Sequence, residues 1–394
     1  MLEEVAGYSL AELSQFRCVD GRYRLLAQLG TGRFGQVYLA YDLLSRELIA
    51  LKEPLELSAP GRLESFLAEI AKMVYLREKG KALAVAQIRE FNFEVREGTP
   101  AVYYTMDFAL LGEFFSFLES APLIDEDAVR YFFAQLAQAV SELHSLGLAH
   151  LDLKPENILL RPDSSLLLCD LGSAAWADQG APAAYAGSRE YCAPESLACL
   201  SAEAGEGPGA ELDLQRLDSF SLGVILFVAL FKSNPFMSAE PSDPYYRRLL
   251  YDREAFWEIF APLRRVTPAA RLFLEEMLLS PPAERPLPRV LLHSAWVSAL
   301  PANPGFRDVL SSSLKEYRGE FEDNLLRQIR MRVKGKGEAE KPKVRARQLV
   351  DSVDLLRRFI RQNEEKISRL KKTLGKLSPL KPPPTEPANL RQRF

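Results

Sequence analysis

The sequence predicts an α+β chain in two lobes, a small strand-rich lobe ahead of a larger helical one, followed by a helical tail. Three observations carry this. Short apolar runs separated by glycine and polar turns crowd residues 21–106. Between residues 112 and 300 apolar side chains fall instead at helical spacing. From Leu349 onward they recur at alternating steps of four and three.

The elements follow in chain order. Residues 1–20 form a short leader of one or two helical turns. Tyr23 to Leu29 and Gln36 to Tyr41 flank a glycine turn as a hairpin, and Leu48 to Lys52 is a third strand. Arg62 to Glu78 has helical spacing, with Phe66, Ile70 and Met73 on one face. Phe91 to Glu97 and Ala101 to Met106 are two more strands about Glu97-Gly98-Thr99-Pro100. Residues 107–111 should be the hinge between a lobe of residues 21–106 and one of residues 112–300. In the second lobe Asp127 to Leu146 is an amphipathic helix, apolar at Val129, Phe132, Phe133, Leu136, Val140 and Leu143. The longest apolar run, Leu222 to Phe231, is far below the ~18 residues of a membrane span and suits a buried helix. Residues 200–215 are low in bulky side chains and should be a surface loop.

Residues 301–348 are expected to be a linker with basic clusters, 349–377 an amphipathic, coiled-coil-like helix, and 378–394 a proline-rich disordered end. In the helix, Val353, Ile360, Ile367 and Leu374 occupy one seam position and Leu349, Leu356, Leu370 and Leu377 the other, with Asn363 interrupting the seam. That pattern favours a parallel two-stranded coil. Against it, Leu355 and Phe359 widen the stripe, and Lys366 would face Lys371 of a partner. Self-association, docking on the body of the protein, and a calmodulin-like partner all stay open.

Composition narrows the class. The start, Met-Leu-Glu-Glu, lacks a signal-peptide pattern, and no membrane is expected. The four cysteines show no metal-ligand spacing, and three histidines argue against a His-based metal site or triad. A cytoplasmic or nuclear protein is expected. The net charge of −3 hides an asymmetry: residues 301–394 carry 23 basic against 12 acidic side chains, the rest 27 against 41. A basic tail on an acidic body suits docking on an acidic surface; a solvated helix with a flexible end is the plainer reading. The basic clusters read as solvated linker, with no specific nucleic-acid binding.

Chemistry concentrates in one stretch. Residues 150–157 read His-Leu-Asp-Leu-Lys-Pro-Glu-Asn, and Asp170-Leu171-Gly172 follows thirteen residues later. Between them, apolar Ile158 to Leu160 and Leu166 to Cys169 flank Arg161-Pro162-Asp163-Ser164-Ser165, a hairpin signal. Closing that hairpin brings Asp152, a candidate base, and the cation Lys154 near two hard oxygen ligands, Asn157 and Asp170. Such a set suits magnesium and phosphate, because magnesium is usually held by one or two protein groups plus substrate phosphates.

At these residues the chain resembles the eukaryotic-type Ser/Thr protein kinases. His150, Asp152, Lys154 and Asn157 match the catalytic loop, and Asp170 and Gly172 the metal loop, with Leu171 where Phe is usual. In the right order stand a glycine-rich loop (Leu29, Gly30, Thr31, Gly32, Arg33, Phe34, Gly35, Val37), Ile49-Ala50-Leu51-Lys52, Ala193-Pro194-Glu195, Asp218 and Arg285. The likeness covers about residues 20–300. Its catalytic-loop wording is closest to the calcium/calmodulin-regulated, myosin light chain kinase-like group. A glycine-rich loop alone could also bind a dinucleotide, but the acidic residue wanted about 20 residues on is replaced by Lys52 in an apolar strand.

The resemblance implies a bilobal kinase fold, protein substrates phosphorylated on Ser or Thr, and ATP and Mg2+ as cofactors. It implies that the glycines admit the nucleotide phosphates, that Val37 and Ala50 cover adenine with Leu159 beneath, that Met106 is the gatekeeper and that Asp107 opens the hinge. Lys52 would hold the α- and β-phosphates, oriented by Glu69, with Glu64 the alternative. Asp152 would accept the substrate proton, Lys154 would neutralise the γ-phosphate, Ser188 would bridge the two, and Asn157 and Asp170 would ligate magnesium. Glu113 and Glu156 match positions that receive a basic residue upstream of the target hydroxyl.

Departures from the family are equally specific. Leu151 stands where most kinases carry the arginine that pairs with a phosphate on the activation segment, and the usual phosphosite falls on Ala184. Independence from activation-segment phosphorylation follows as an expectation. The stretch from Glu195 to Asp218 looks about ten residues too long for the family, an insertion. The runner-up reading is an ATP-binding pseudokinase scaffold acting through its C-terminal helix.

Overall fold

The structure is a computed structural model. It describes residues 2–32, 35–55, 61–79, 84–96, 99–120, 124–177, 187–201, 212–279, 281–299, 301 and 305–333. The predicted helix 349–377, the proline-rich end, Ala184 and most of the 200–215 insertion lie outside these residues.

Two short helices open the chain, α1 (Leu2–Ala6) and α2 (Leu10–Leu13). An antiparallel sheet follows in the order β1-β2-β3-β4-β6-β5: β1 (Cys18–Val19), β2 (Tyr23–Thr31), β3 (Gln36–Asp42), β4 (Glu47–Glu53), β5 (Ile88–Arg96) and β6 (Thr99–Asp107). Strand alternation sorts β4 into two faces. Ile49 and Leu51 join Tyr23, Leu25, Ala40 and Tyr103 on the outer face. Ala50 and Lys52 point the other way, into a cleft. Register sets Val37 opposite Lys52 and Ala50 opposite Met106. The crossover between β4 and β5 is α3 (Arg62–Glu78), the span the periodicity predicts, with Phe66, Ile70 and Met73 buried.

After β6 the chain turns at Gly112, whose φ of 66° is left-handed. The larger lobe comprises α4 (Phe114–Ser120), α5 (Glu126–Ser145), β7 (Leu148–Ala149), β8 (Ile158–Leu160), β9 (Leu166–Leu168), β10 (Ala175–Trp176) and α6 (Pro194–Ser201). Then come α7 (Leu214–Phe231), α8 (Pro244–Tyr251), α9 (Arg253–Phe260), α10 (Pro268–Leu279) and α11 (Pro288–Leu291). Strands β8 and β9 pair as the predicted hairpin, Ile158 opposite Leu168. Helix α7 starts eight residues before the predicted run, capped by Asp213 on the amides of Gln215 and Arg216. Its 18 residues are long and apolar enough to cross a membrane, but 89% of that stretch is buried within the protein. It is therefore read as a core helix.

The structure corrects part of the expected linker over residues 301–348, of which residues 334–348 lie outside the described residues. Residues Phe306–Val333 form one 28-residue helix, α12, about 42 Å long at 1.5 Å per residue. Leu310, Leu314 and Tyr317 sit in the main core beside α4 and α5. Leu325 and Ile329 join Val5, Leu13, Phe16, Leu26, Ala27, Leu39 and Tyr41 in a second apolar cluster on the small lobe. One helix thus packs on both lobes and passes the hinge, where its Phe321 meets Gly112: a β-carbon there would stand 2.7 Å from the ring.

Candidate active site

The cleft between the lobes has a volume of about 750 Å³. Lys52 reaches it from β4 and α3 supplies Glu69. The Lys52 Nζ donates to Glu69 Oε1 at 2.8 Å and to Asp170 Oδ1 at 3.0 Å. Tyr104, two residues before Met106 on β6, donates its hydroxyl to the same Glu69 oxygen at 2.8 Å. Burial works against the Lys52 charge, but Glu69 and then Asp170 outweigh it and raise its pKa. Burial likewise works against the Asp170 carboxylate, yet Lys52 prevails and holds its pKa below the usual range. Lys72, one turn after Glu69, donates to the Leu171 carbonyl at 3.1 Å and ties α3 to the Asp170 loop.

The β8–β9 hairpin places the second half. Asn157, just before β8, donates its side-chain amide to Asp152 O at 2.8 Å and Oδ2 at 3.0 Å. This turns the amide oxygen away from Asp152. Lys154 Nζ lies 3.0 Å from Asp152 Oδ2 and donates to Ser188 Oγ at 2.8 Å. Ser188 in turn donates its amide (3.0 Å) and hydroxyl (3.2 Å) to Asp152 Oδ1. The expected bridge between Asp152 and Lys154 is present as geometry.

Asp218 of α7 holds this loop from below and is fully buried. Its Oδ2 accepts from His150 N and its Oδ1 from Leu151 N, both at 2.8 Å, and His144 Nε2 lies 2.8 Å from Oδ2. Leu151 is completely buried with a φ of 64°, a left-handed conformation costly for a residue bearing a β-carbon. Further along, Arg285, 1% exposed, donates two bonds to the Glu195 carboxylate and fixes the end of the activation segment.

Leu29, Gly30, Thr31, Gly32, Gly35, Val37, Ala50, Met106, Asp107, Glu113, Glu156 and Leu159 line the same cleft as Lys52, Asp152, Lys154, Asn157, Asp170 and Ser188. Gly32 donates to the Gly35 carbonyl at 2.9 Å, closing the glycine turn. A β-carbon on Gly35 would stand 2.5 Å from the Glu53 carbonyl oxygen, so no larger residue fits. Arg33 and Phe34 lie outside the described residues, as does the Glu64 side chain. Among the described residues no cluster of three or more His, Cys, Asp or Glu could hold a metal. Asn157 and Asp170 alone could bind a divalent cation if phosphate oxygens complete its shell, the usual case for magnesium. Sequence reasoning missed Tyr104, Lys72 and four residues of α12 on the cleft rim: Phe321, Asn324, Leu325 and Gln328.

The comparisons agree with this geometry. The family model for the protein kinase domain matches residues 23–297. The chain is 31% identical over 276 residues to CBL-interacting protein kinase 29 of Oryza sativa subsp. japonica, covering 67% of this chain and 60% of that protein. It is 30% identical over 292 residues to serine/threonine-protein kinase SAPK3 of Oryza sativa, covering 72% of this chain and 80% of the relative. The PAS domain-containing serine/threonine-protein kinase of Mus musculus is 29% identical over 280 residues, 68% of this chain and 19% of the relative. The chain spans about 60% of the length of the first CBL-interacting relatives it matches. These names do not support the myosin light chain kinase-like subgroup. With the cleft, the catalytic-loop geometry and these matches together, the chain belongs to the protein kinase family, among relatives of the serine/threonine class.

Proposed function

We propose that the protein is an ATP- and Mg-dependent serine/threonine protein kinase. The observation that carries this is the pairing of Lys52 with both Glu69 and Asp170 in one cleft with Asp152. Phosphoryl transfer asks the protein mainly for positioning and charge neutralisation. In this reading Lys52 holds the inner phosphates and Glu69 keeps it aimed. Asp152 orients the incoming hydroxyl and takes its proton at a carboxylate oxygen. Lys154 offsets charge on the transferred group, and Ser188 fixes the distance between these two. Asn157 and Asp170 would hold magnesium, which when bound neutralises phosphate charge. Phosphate transfer from ATP to a generic basic protein tests the reading; nucleotide binding without transfer would favour the pseudokinase scaffold instead.

Leu151 supports independence from activation-segment phosphorylation. Its side chain is wholly buried in the core and can pair with no phosphate. Phosphatase treatment of purified protein is expected to leave the rate within about twofold, and a collapse in activity would reject the idea.

Glu113 and Glu156 support a preference for a basic residue upstream of the target hydroxyl. Burial, then the nearby Glu156 charge, raises the Glu113 pKa, and a substrate cation would relieve that repulsion. Peptide arrays should show a basic preference that weakens about 10- to 150-fold in Glu113→Gln, in line with about 1.5–3 kcal/mol for a charged hydrogen bond; indifference at that position removes the proposal. For residues 349–377 we propose self-association, with docking on the kinase body and a calmodulin-like partner as the other readings. Light scattering of the full chain across concentrations, with and without calcium–calmodulin, separates the three.

A further inference from the structure

One rim of the cleft belongs to neither half of the kinase domain. Phe321, Asn324, Leu325 and Gln328 of α12 face it together with Gln28, Leu29 and Gly30 of β2, the hinge residues Phe108 and Ala109, and Gly112. Positions 321, 324, 325 and 328 share one helix face. Two of them anchor the helix: Phe321 rests on Gly112 and Leu325 is buried against the small lobe. The other two, Asn324 and Gln328, are exposed, and the side-chain amide of neither is hydrogen-bonded to another described residue.

Chemistry divides the cleft lengthwise. Lys52, Asp152, Lys154 and Asp170 concentrate charge at one end, which suits phosphates and their counter-ions. Toward α12 the lining includes the neutral amides of Gln28, Asn324 and Gln328, the Ser116 hydroxyl and the Glu113 carboxylate. A side-chain amide both donates and accepts, as does a sugar hydroxyl. A nucleotide with its phosphates at Lys52 would turn its sugar toward this rim.

We propose that Asn324 and Gln328 of α12 are specificity-determining residues that hydrogen-bond the sugar hydroxyls of ATP, making the C-terminal helix a wall of the nucleotide site. The inference rests on the ATP-dependent reading above. Anchored on both lobes, α12 holds these amides in place before the nucleotide arrives, which lowers the entropy cost of binding.

The test uses full-length protein and calorimetric titration with ATP and with 2′,3′-dideoxy-ATP. Wild-type protein should prefer ATP by about 10-fold, a magnitude that one or two neutral hydrogen bonds supply. The double variant Asn324→Ala/Gln328→Ala should reduce that preference to within about twofold with dideoxy-ATP affinity unchanged, a pattern a merely structural helix would not produce. Both positions are exposed, so folding is not at stake. An unaltered preference in the variant overturns the proposal, as does a wild type indifferent to the hydroxyls or unable to bind either nucleotide. Failure of the kinase reading shows elsewhere, in the wild-type transfer assay, whose outcome does not enter this ratio.

Discussion

Asp152→Asn should lower the rate of phosphate transfer by about 10²–10⁴-fold, the usual worth of a positioned proton acceptor. The side chain keeps its size, so the packing around it is spared. What changes is charge. Asp152 Oδ1 accepts from the Ser188 amide and hydroxyl, while Oδ2 faces Lys154 and Asn157. Replacing one oxygen by an NH2 sets a donor against these donors and leaves Lys154 without its counter-charge. The loss should fall on kcat, with the ATP KM changed by less than about threefold, since Asp152 is not one of the groups proposed to hold the nucleotide. Steady-state kinetics with a basic protein substrate decide it. A variant keeping more than about a tenth of the wild-type rate would show that Asp152 is not the proton acceptor.

Asp218→Ala is expected to cost about 2–6 kcal/mol of stability, from two buried N–H groups orphaned at about 1–3 kcal/mol each. His150 N and Leu151 N both end on its carboxylate, and neither residue has any exposure to water. Those two bonds also clamp Leu151 in its left-handed conformation, so the catalytic loop should relax once they are gone. Denaturant unfolding would show a lower midpoint at unchanged slope. Asp218→Asn, which keeps one acceptor oxygen, should fall between wild type and alanine. An alanine variant within about 0.5 kcal/mol of wild type would mean that water or a neighbour satisfies these amides, and that the loop owes its shape to something else.

The small lobe was legible because its signals are local. Alternation and turn residues locate β2, β3, β4 and β6, and the period of Phe66, Ile70 and Met73 locates α3. The catalytic loop was legible for another reason: Asp152, Lys154, Asn157 and Asp170 are brought together by a hairpin of adjacent strands. Contacts between residues distant in the chain left no such trace. Tyr104 meets Glu69 across 35 positions and Lys72 meets Leu171 across 99. The early start of α7 was hidden by Gln215, Arg216, Asp218 and Ser219, polar residues that look like solvent-facing loop until the catalytic loop is seen to use Asp218. Helix α12 was misread as linker because its apolar stripe, Leu310, Leu314, Tyr317, Leu325 and Ile329, runs through many charged and small residues, and the two surfaces it covers are far apart in sequence.

The covering by α12 has a practical consequence for anyone trimming this protein. A fragment ended at residue 299, just beyond the matched kinase domain, would unroof Leu26, Leu39 and Tyr41 on the small lobe, and Phe117 of α4 beside Tyr317. Such a fragment should be sticky and prone to aggregate, since exposed apolar patches of this kind seek new neighbours. The unit expected to fold on its own therefore extends past residue 297, where the family match ends, at least to Val333.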